Sequence, residues 1–390
     1  MQIPYGNHYI DTQDIKNVSN VLKGKLITQG PIVEKFEKAV CKLLKVKYAV
    51  AVSSCTAGLH LAVKSIYKKN SKIITSPISF VSTANSILFN NMKPIFSDID
   101  YESLNIDSNK IQKILKQYKD IRAIMPVHLG GLSSGSKNLY KIAKKNNLFV
   151  IEDAAHSFGG KYEDGIPVGS CKYSDITVFS FHPVKTITTG EGGIITTKSK
   201  KIYEKLLLLR NHGIQKNQKF FINKKQAYTK NSLNPWYYEM TDLGFNYRIN
   251  DIQCALGLSQ LKKLKKILKK REQVASFYDK KFENTNGLNL FQKNKRNKSS
   301  NHLYVIGINF KKIKSNKNKF MKYLMKNGIT TQIHYIPIPM HPYYRSLKYN
   351  LKNLFFCKKY YDEAISIPIY YKLTRKNLNK IVKLIKYFLK

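Results

Sequence analysis

Along this chain, segments with helical periodicity take turns with short apolar runs, and this pattern predicts an α/β fold. After two amphipathic helices at 11–22 and 32–44, short apolar runs rich in β-branched residues take turns with segments of helical periodicity. This is the rhythm of βαβ units, in which helices cover both faces of a mainly parallel sheet. The pattern predicts helices such as 58–67 and 136–146, and strands at 48–54, 72–76, 94–98, 123–129, 148–154, 175–181 and 192–197.

The pattern changes near residue 250 and divides the chain into two predicted domains. From Ile252 apolar residues recur every three or four positions while lysines occupy the other face, which indicates a long helix. The elements expected after it are a polar linker at 293–301, strands at 302–309 and 331–336, and helices at 317–327 and from Thr374. We therefore predict a large α/β domain at 1–250, including the N-terminal segment, and a smaller C-terminal α+β domain at 251–390. Before the boundary, the Asn- and Lys-rich stretch 216–235 predicts a long surface loop.

The formal net charge of +44 raises the possibility of nucleic-acid binding. Nearly all of the excess is lysine spread from end to end, whereas base recognition and phosphate clamps favour arginine. We therefore expect no nucleic-acid partner. The charge should instead steer anionic substrates toward the protein.

Hydropathy and cysteine usage bear on the compartment. No apolar run approaches the roughly 18 residues that cross a bilayer, and the first residues lack the pattern of a secretory signal. The five cysteines are odd in number, far apart and without a CxxC pair, so they predict neither a disulfide framework nor a zinc site. We expect a cytoplasmic protein with reduced thiols, no metal and no membrane partner.

One lysine stands out by its setting. Lys185 follows the apolar run that ends at Phe181 and precedes the glycine-rich stretch 190–193, so it is presented at a strand end with room for backbone to approach. An amine held there can form a Schiff base with an aldehyde cofactor. Lys185 is therefore the candidate catalytic lysine.

A second motif places a carboxylate at another strand end. Asp153 closes the strongly apolar run that begins near Leu148, where a buried carboxylate is costly unless a cation pairs with it. A protonated pyridine nitrogen would be such a cation, and a structural Asp that caps the following turn is the alternative. His156, three residues on, is a candidate hydrogen-bond partner of the ring oxygen.

Further motifs offer an anion cup and an aromatic face. The residues Ser54, Cys55 and Thr56 stand where a strand gives way to a helix, and they form either a phosphate cup or an ordinary helix cap. Phe80 follows another strand and either stacks on a flat ring or packs in the core. Ser180 and Asn246 are candidate phosphate ligands.

Four ordered segments resemble the sugar aminotransferases of the DegT/DnrJ/StrS family, PLP-dependent enzymes of fold type I. The segments are SCTAGLHLA, EDAAHSFG, FSFHPVKTITTGEGG and LGFNYRINDIQCALGLSQL. The resemblance spans nearly the whole chain. It implies a PLP-dependent transferase of fold type I, with a large domain built on a mostly parallel seven-stranded sheet and a smaller C-terminal α+β domain.

The resemblance also implies roles for the residues singled out. Lys185 would be joined covalently to PLP, Asp153 would pair with its ring nitrogen, and His156 would stand near the ring oxygen, where much of the family carries Gln. Asn246 would reach the phosphate from a neighbouring subunit, which implies a homodimer with shared sites. The cofactor-binding residues so implied are Ser54, Cys55, Thr56, Phe80, Asp153, His156, Ser180, Lys185 and Asn246.

The segments PWYYE, QIHYIP and HPYYR resemble one branch of this family, which acts at C4 of a UDP-linked 4-keto-6-deoxy-N-acetylhexosamine in pseudaminic acid biosynthesis. The resemblance implies L-glutamate as amino donor. The substrate-binding residues that it implies are Tyr5, Lys25, Leu26, Ile27, Thr28, Cys55, Ser180, Asn246, Ile333, His334 and Tyr335. We further hypothesise that the 216–235 loop and Trp236 cover the sugar.

Three alternatives stay open. The substrate could be another nucleotide-linked ketosugar, such as the UDP-4-keto precursor of bacillosamine or a dTDP-ketosugar. A sugar dehydratase of the same family is disfavoured, because such members replace the lysine with His and Lys185 is present. A basic nucleic-acid-binding protein on the same scaffold is the alternative from another functional class.

Overall fold

A seven-stranded sheet forms the centre of the large N-terminal region. The computed structural model describes residues 2–133 and 135–389. The strands are β1 (Tyr48–Val52), β2 (Lys72–Thr75), β3 (Lys93–Phe96), β4 (Ile121–Met125), β5 (Phe149–Asp153), β6 (Ile176–Ser180) and β7 (Gly193–Thr197). Their spatial order is β1-β7-β6-β5-β4-β2-β3, and β7 alone runs antiparallel to its neighbours. The predicted mostly parallel sheet is confirmed.

Six helices of this region precede or connect these strands, and a seventh follows β7. They are α1 (Thr12–Leu22), α2 (Pro31–Leu44), α3 (Cys55–Ser65), α4 (Ser82–Leu88), α5 (Ser108–Gln117), α6 (Ser136–Lys145) and α7 (Lys200–Arg210). Local sequence sets where they begin: Asp11 and Asp14 form a capping box at α1, and α2 starts with Pro31. Helix α3 begins three residues before its predicted start, because the Ser54 hydroxyl caps the N–H of Ala57.

The predicted loop at 216–235 and its flanks contain short elements. These are β8 (Ile214–Gln215), α8 (Lys224–Ala227), β9 (Tyr228–Thr229), β10 (Ser232–Leu233) and β11 (Glu239–Met240). The strands pair as β9 with β10 and β8 with β11. The Glu239 carboxylate accepts the N–H groups of Ile222 and Asn223 at 2.7 Å each, so it ties the segment to its own end.

A long helix joins the two regions. The C-terminal elements are α9 (Asp251–Phe282), β12 (Leu288–Leu290), β13 (Tyr304–Ile308), α10 (Lys317–Lys326), α11 (Pro342–Ser346), α12 (Phe355–Glu363), β14 (Ala364–Ile367) and α13 (Arg375–Phe388). Strands β12, β13 and β14 form an antiparallel sheet. The first half of α9 packs through Leu264 and Ile267 with the large region, and its second half packs through Tyr278 with the C-terminal sheet. The domain boundary near 250 stays a prediction.

Two details of the C-terminal prediction need correction. The strand expected at 331–336 is wrong: the segment makes a single bridge, Gln332 to Ser366, because His334 directs its side chain and carbonyl into other hydrogen bonds. The polar stretch 293–301 is solvated only in part. There Arg296 is buried and donates to Asp279 at 3.0 and 3.1 Å.

The described residues also contain short 3₁₀ turns at Leu129–Gly131, Gln218–Phe220, Lys293–Lys295 and Ile338–Met340. None of the helices within 2–133 and 135–389 is long and apolar enough to cross a membrane.

Candidate active site

Lys185 lies in a turn between two neighbouring strands. The chain leaves β6 at Ser180, and the Lys185 N–H donates to the His182 carbonyl at 2.9 Å before the chain enters β7. Burial lowers the pKa of Lys185 to about 8, although the nearby Cys55 and Asp153 oppose that decrease. In the part of the chain that the structure describes, Lys185 has no ion-pair partner. Its amine is therefore neutral far more often than that of a surface lysine.

Asp153 ends β5, the parallel neighbour of β6. Its side chain is buried, and its two oxygens accept from the Thr83 hydroxyl at 2.6 Å and the Ala155 N–H at 3.2 Å. Burial raises the pKa of this carboxyl, and the Thr83 hydrogen bond opposes the rise. Within 2–133 and 135–389 no cation forms a salt bridge with Asp153, so a protonated ring nitrogen would supply the missing positive charge.

The contacts of His156 indicate which ring nitrogen carries its proton. Nδ1 accepts the Gly130 N–H at 3.3 Å, so the neutral ring is protonated at Nε2, which lies 3.0 Å from the Tyr335 hydroxyl. Burial and the nearby Lys185 hold the pKa of His156 well below its usual range. The His302 ring lies against it with centroids 4.4 Å apart. The neutral His156 ring can therefore donate its Nε2–H to the Tyr335 hydroxyl.

The N-terminus of α3 lies against the start of β7. A Cβ at Gly193 would stand 2.8 Å from the Cys55 backbone nitrogen, so only glycine permits this approach. Ser54 caps the helix, Cys55 and Thr56 form its first turn, and burial raises the Cys55 pKa well above its usual value. The free N–H groups of a helix start attract anions, so this corner suits a phosphate. Ser180 is buried at the end of β6.

Three of the predicted substrate-binding residues, Tyr5, His334 and Tyr335, lie next to one another. The Tyr5 and His334 rings lie 5.4 Å apart, and Tyr335 contacts His156 as described above. His334 is held by the Ser366 hydroxyl at 2.8 Å, and its carbonyl accepts from the Tyr360 hydroxyl at 2.5 Å. Burial, reinforced by the charge of Lys185, lowers the pKa of His334 to about 3, so the ring is neutral.

The remaining predicted site residues are placed less directly. Ile333 is partly buried beside His334, while Phe80 is 57% exposed with its ring 6.0 Å from that of Tyr335. Asn246 and Trp236 are exposed. Lys25, Leu26, Ile27 and Thr28 are all exposed on a loop.

That loop is anchored by the start of α9. The Asp251 carboxylate accepts the N–H groups of Gly30 and Ile32 at 2.7 and 2.9 Å, and the Asp251 N–H donates to the Ile27 carbonyl. Lys25 and Leu26 line an open cavity of about 560 Å³ between this loop and α9. Among the described residues, neither this loop nor Asn246 forms a hydrogen bond with Lys185 or Asp153.

Two site residues were missed by sequence reasoning. Thr83 and His302 contact Asp153 and His156 respectively, yet both come from segments far from either motif. The available signal for Thr83 is that it and Ser82 are polar residues shortly after Phe80, past the end of β2. His302 had no signal beyond its place at the start of a predicted strand.

The chain matches known proteins over nearly its whole length. A model of the DegT/DnrJ/EryC1/StrS aminotransferase family matches residues 8–386. The UDP-4-amino-4,6-dideoxy-N-acetyl-β-L-altrosamine transaminase of Campylobacter jejuni is 37% identical over 384 residues, covering 98% of this chain and 96% of the relative. The spore coat polysaccharide biosynthesis protein SpsC of Bacillus subtilis is 34% identical over 389 residues, with coverage of 98% and 96%.

A solved structure agrees with the fold. Helicobacter pylori PseC, described as an aminotransferase involved in the biosynthesis of pseudoaminic acid, superposes with a TM-score of 0.90 at 33% sequence identity. The match covers 100% of this chain and 99% of PseC.

Proposed function

Because the chain belongs to the DegT/DnrJ/EryC1/StrS aminotransferase family, we propose that it aminates C4 of a UDP-linked 4-keto-6-deoxy-N-acetylhexosamine. The substrate is UDP-2-acetamido-2,6-dideoxy-β-L-arabino-hex-4-ulose, L-glutamate is the amino donor, and the reaction serves pseudaminic acid biosynthesis. The observation that carries this proposal is the nearly full-length match to the Campylobacter jejuni altrosamine transaminase. The family is PLP-dependent, and so is this chain.

The residues of the site fit PLP. Three features of the site match the aldehyde, the ring nitrogen and the phosphate of PLP. They are the buried amine of Lys185 with its lowered pKa, the buried Asp153 carboxylate that no described cation pairs with, and the start of α3. When bound, PLP supplies an electron sink that eases the loss of a proton from the carbon bearing the amine. Lys185 holds the cofactor and then moves that proton as general base and acid. Asp153 keeps the ring nitrogen positive.

The other side chains bind and orient. Thr56 and Ser180 would hold the phosphate near the start of α3, His156 would stand near the ring oxygen, and Phe80 would lie against the ring. Tyr5, Ile333, His334 and Tyr335 bind the sugar together with the Lys25–Thr28 loop, in which Lys25 neutralises diphosphate charge. Glutamate gives up its amino group and leaves before the ketosugar takes up that group. The kinetics are therefore ping-pong.

The proposal includes a homodimer with shared sites. Large apolar side chains are exposed near Asn246, among them Trp236 at 74%, Met240 at 66% and Leu243 at 66%. Large exposed apolar side chains that lie side by side are typical of interfaces, and we infer that these three meet a partner. Asn246 of one protomer then reaches the cofactor phosphate of its partner. The five free cysteines suit a reducing compartment, and we place the enzyme in the cytoplasm.

The deciding experiment is amination of defined ketosugars. Purified protein is incubated with PLP, isotopically labelled glutamate and the UDP-linked β-L-arabino-hex-4-ulose, and the product is identified by NMR. We expect labelled nitrogen at C4. SpsC carries a different pathway name at 34% identity, so a second candidate is another nucleotide-linked ketosugar. A parallel panel with the UDP-4-keto bacillosamine precursor and a dTDP-ketosugar tests it. If the enzyme preferred either of these sugars, the assigned substrate would be wrong, while the assignment as an aminotransferase would stand.

A further inference from the structure

A chain of two hydroxyl groups ends on the Asp153 carboxylate. The Ser79 hydroxyl oxygen lies 2.5 Å from that of Thr83, and the Thr83 hydroxyl lies 2.6 Å from Oδ2 of Asp153. The exposed fractions of the three side chains are 4%, 0% and 3%. Ser79 follows β2 and Thr83 lies in the first turn of α4, so the hydroxyls approach the end of β5 from another part of the sheet.

The direction of both hydrogen bonds follows from hydroxyl chemistry. An ionised carboxylate can only accept hydrogen bonds, so the Thr83 hydroxyl must donate its one hydrogen bond to Asp153. Ser79 must then donate to Thr83, and both donors point toward the carboxylate. Such chains polarise one another in a low-dielectric interior, and they favour the charged form of the acceptor.

The same contacts fix the orientation of Asp153. Oδ2 accepts a hydrogen bond from the Thr83 hydroxyl, and Oδ1 accepts one from the Ala155 N–H at 3.2 Å. Because each oxygen has a donor, the carboxylate cannot rotate freely. Each oxygen keeps a lone pair for one further donor. Burial alone would favour the neutral acid, and the Thr83 hydrogen bond acts against it.

We propose that Thr83, supported by Ser79, is a positioning residue that keeps Asp153 ionised and aimed at the pyridine nitrogen of the cofactor. This inference rests on the proposed function, because it requires PLP on Lys185. A purely structural role would need only that the buried hydroxyls be satisfied.

The test compares Thr83→Val, which keeps the shape and removes the donor, with Thr83→Ser, which keeps the donor. PLP affinity is measured by titration, and the visible absorption of the lysine-bound cofactor is followed against pH. For Thr83→Val we expect PLP binding to weaken about tenfold, since a hydrogen bond to a charged group is lost. The absorption change should move to higher pH by about one unit, a tenfold change in acidity. A ring nitrogen that holds its proton less firmly withdraws fewer electrons from the Lys185 linkage.

Thr83→Ser should restore both properties, and Ser79→Ala should weaken PLP binding by about threefold because the supporting bond is neutral. Equal defects in Thr83→Val and Thr83→Ser, or an unchanged pH profile in Thr83→Val, would overturn the inference. If Thr83→Val does not fold, Ser79→Ala decides by the same readouts. A wild-type protein whose Lys185 takes up no PLP would instead reject the proposed function itself.

Discussion

The two halves of the proposed site differ in how far one chain completes them. In the cofactor half, Lys185, Asp153 and His156 are enclosed, and the two latter side chains are hydrogen-bonded by their own chain. In the outer half, Asn246 and the Lys25–Thr28 loop face solvent. Under the proposed function, this difference corresponds to a preorganised chemical centre beside a recognition surface that a second copy of the chain completes.

The outer half also exposes apolar groups that a monomer would be expected to bury. Ile222 is 80% exposed and Phe220 is 56% exposed, close in sequence to the patch around Leu243. These side chains belong to the segment 214–243, in which the Glu239 carboxylate binds two backbone N–H groups and the buried Phe221 packs on Tyr237. A second copy of the chain would cover them and bring Asn246 to a neighbouring site, as the proposed dimer requires.

The largest expected effect comes from removing the amine of the cofactor half. Lys185→Ala should lower turnover by about 10⁴-fold or more, because covalent attachment and proton transfer are lost together. Borohydride reduction followed by mass spectrometry should label Lys185 in the wild type and leave the variant unlabelled. UDP-sugar affinity should persist, because the outer half is untouched. Lys200→Ala, at an exposed lysine, is the control, and an active Lys185→Ala enzyme would contradict the assignment.

A smaller effect is expected from a charge in the outer half. Leu243→Glu would place an unpaired carboxylate in the proposed interface, and it should weaken dimerisation by about 100-fold. Turnover should fall with it at low protein concentration. Sedimentation velocity and activity measured across a dilution series check this. Met325→Glu, at a similarly exposed apolar residue on α10, should leave both unchanged. A monomeric wild type with full activity would remove the distinction between the two halves.

The positions of Asp153 and Lys185 in the fold were predictable from sequence, because apolar runs show where buried strands end. Apolar runs predicted β5 and β6, so the residues that end or follow them, Asp153 and Lys185, were expected on one edge of the sheet. The neighbouring Glu152 has a different role. Glu152 points to the other face of β5 and is bound there by Tyr162 at 2.7 Å and Thr177 at 2.7 Å, a structural network.

What could not be predicted depends on tertiary approach. Thr83 reaches Asp153 across a gap of 70 residues, and no local pattern encodes that meeting. The alternation around His334 matched a strand, yet hydrogen bonds to Ser366 and Tyr360 hold it as an irregular segment that presents Tyr335 to His156. Long-range hydrogen bonds override local propensity there.

The smallest expected effect concerns the pH at which the apoprotein captures PLP. Only the neutral amine attacks the aldehyde, and burial lowers the pKa of Lys185 to about 8. The capture rate should therefore rise about tenfold per pH unit below pH 8 and level off above it, whereas an ordinary lysine would keep accelerating. Stopped-flow absorbance over a pH series measures this.

Replacing Asp153 sharpens the same measurement. The Asp153 carboxylate raises the pKa of Lys185 by favouring its charged form, so Asp153→Asn should move the plateau to lower pH even though it also weakens PLP binding. Glu152→Gln changes a carboxylate on the opposite face of the strand and should leave the plateau in place if the protein folds. A plateau that stays near pH 8 in Asp153→Asn would mean that the Asp153 charge does not affect the pKa of Lys185. The conclusion that the cofactor half is preorganised would then be wrong.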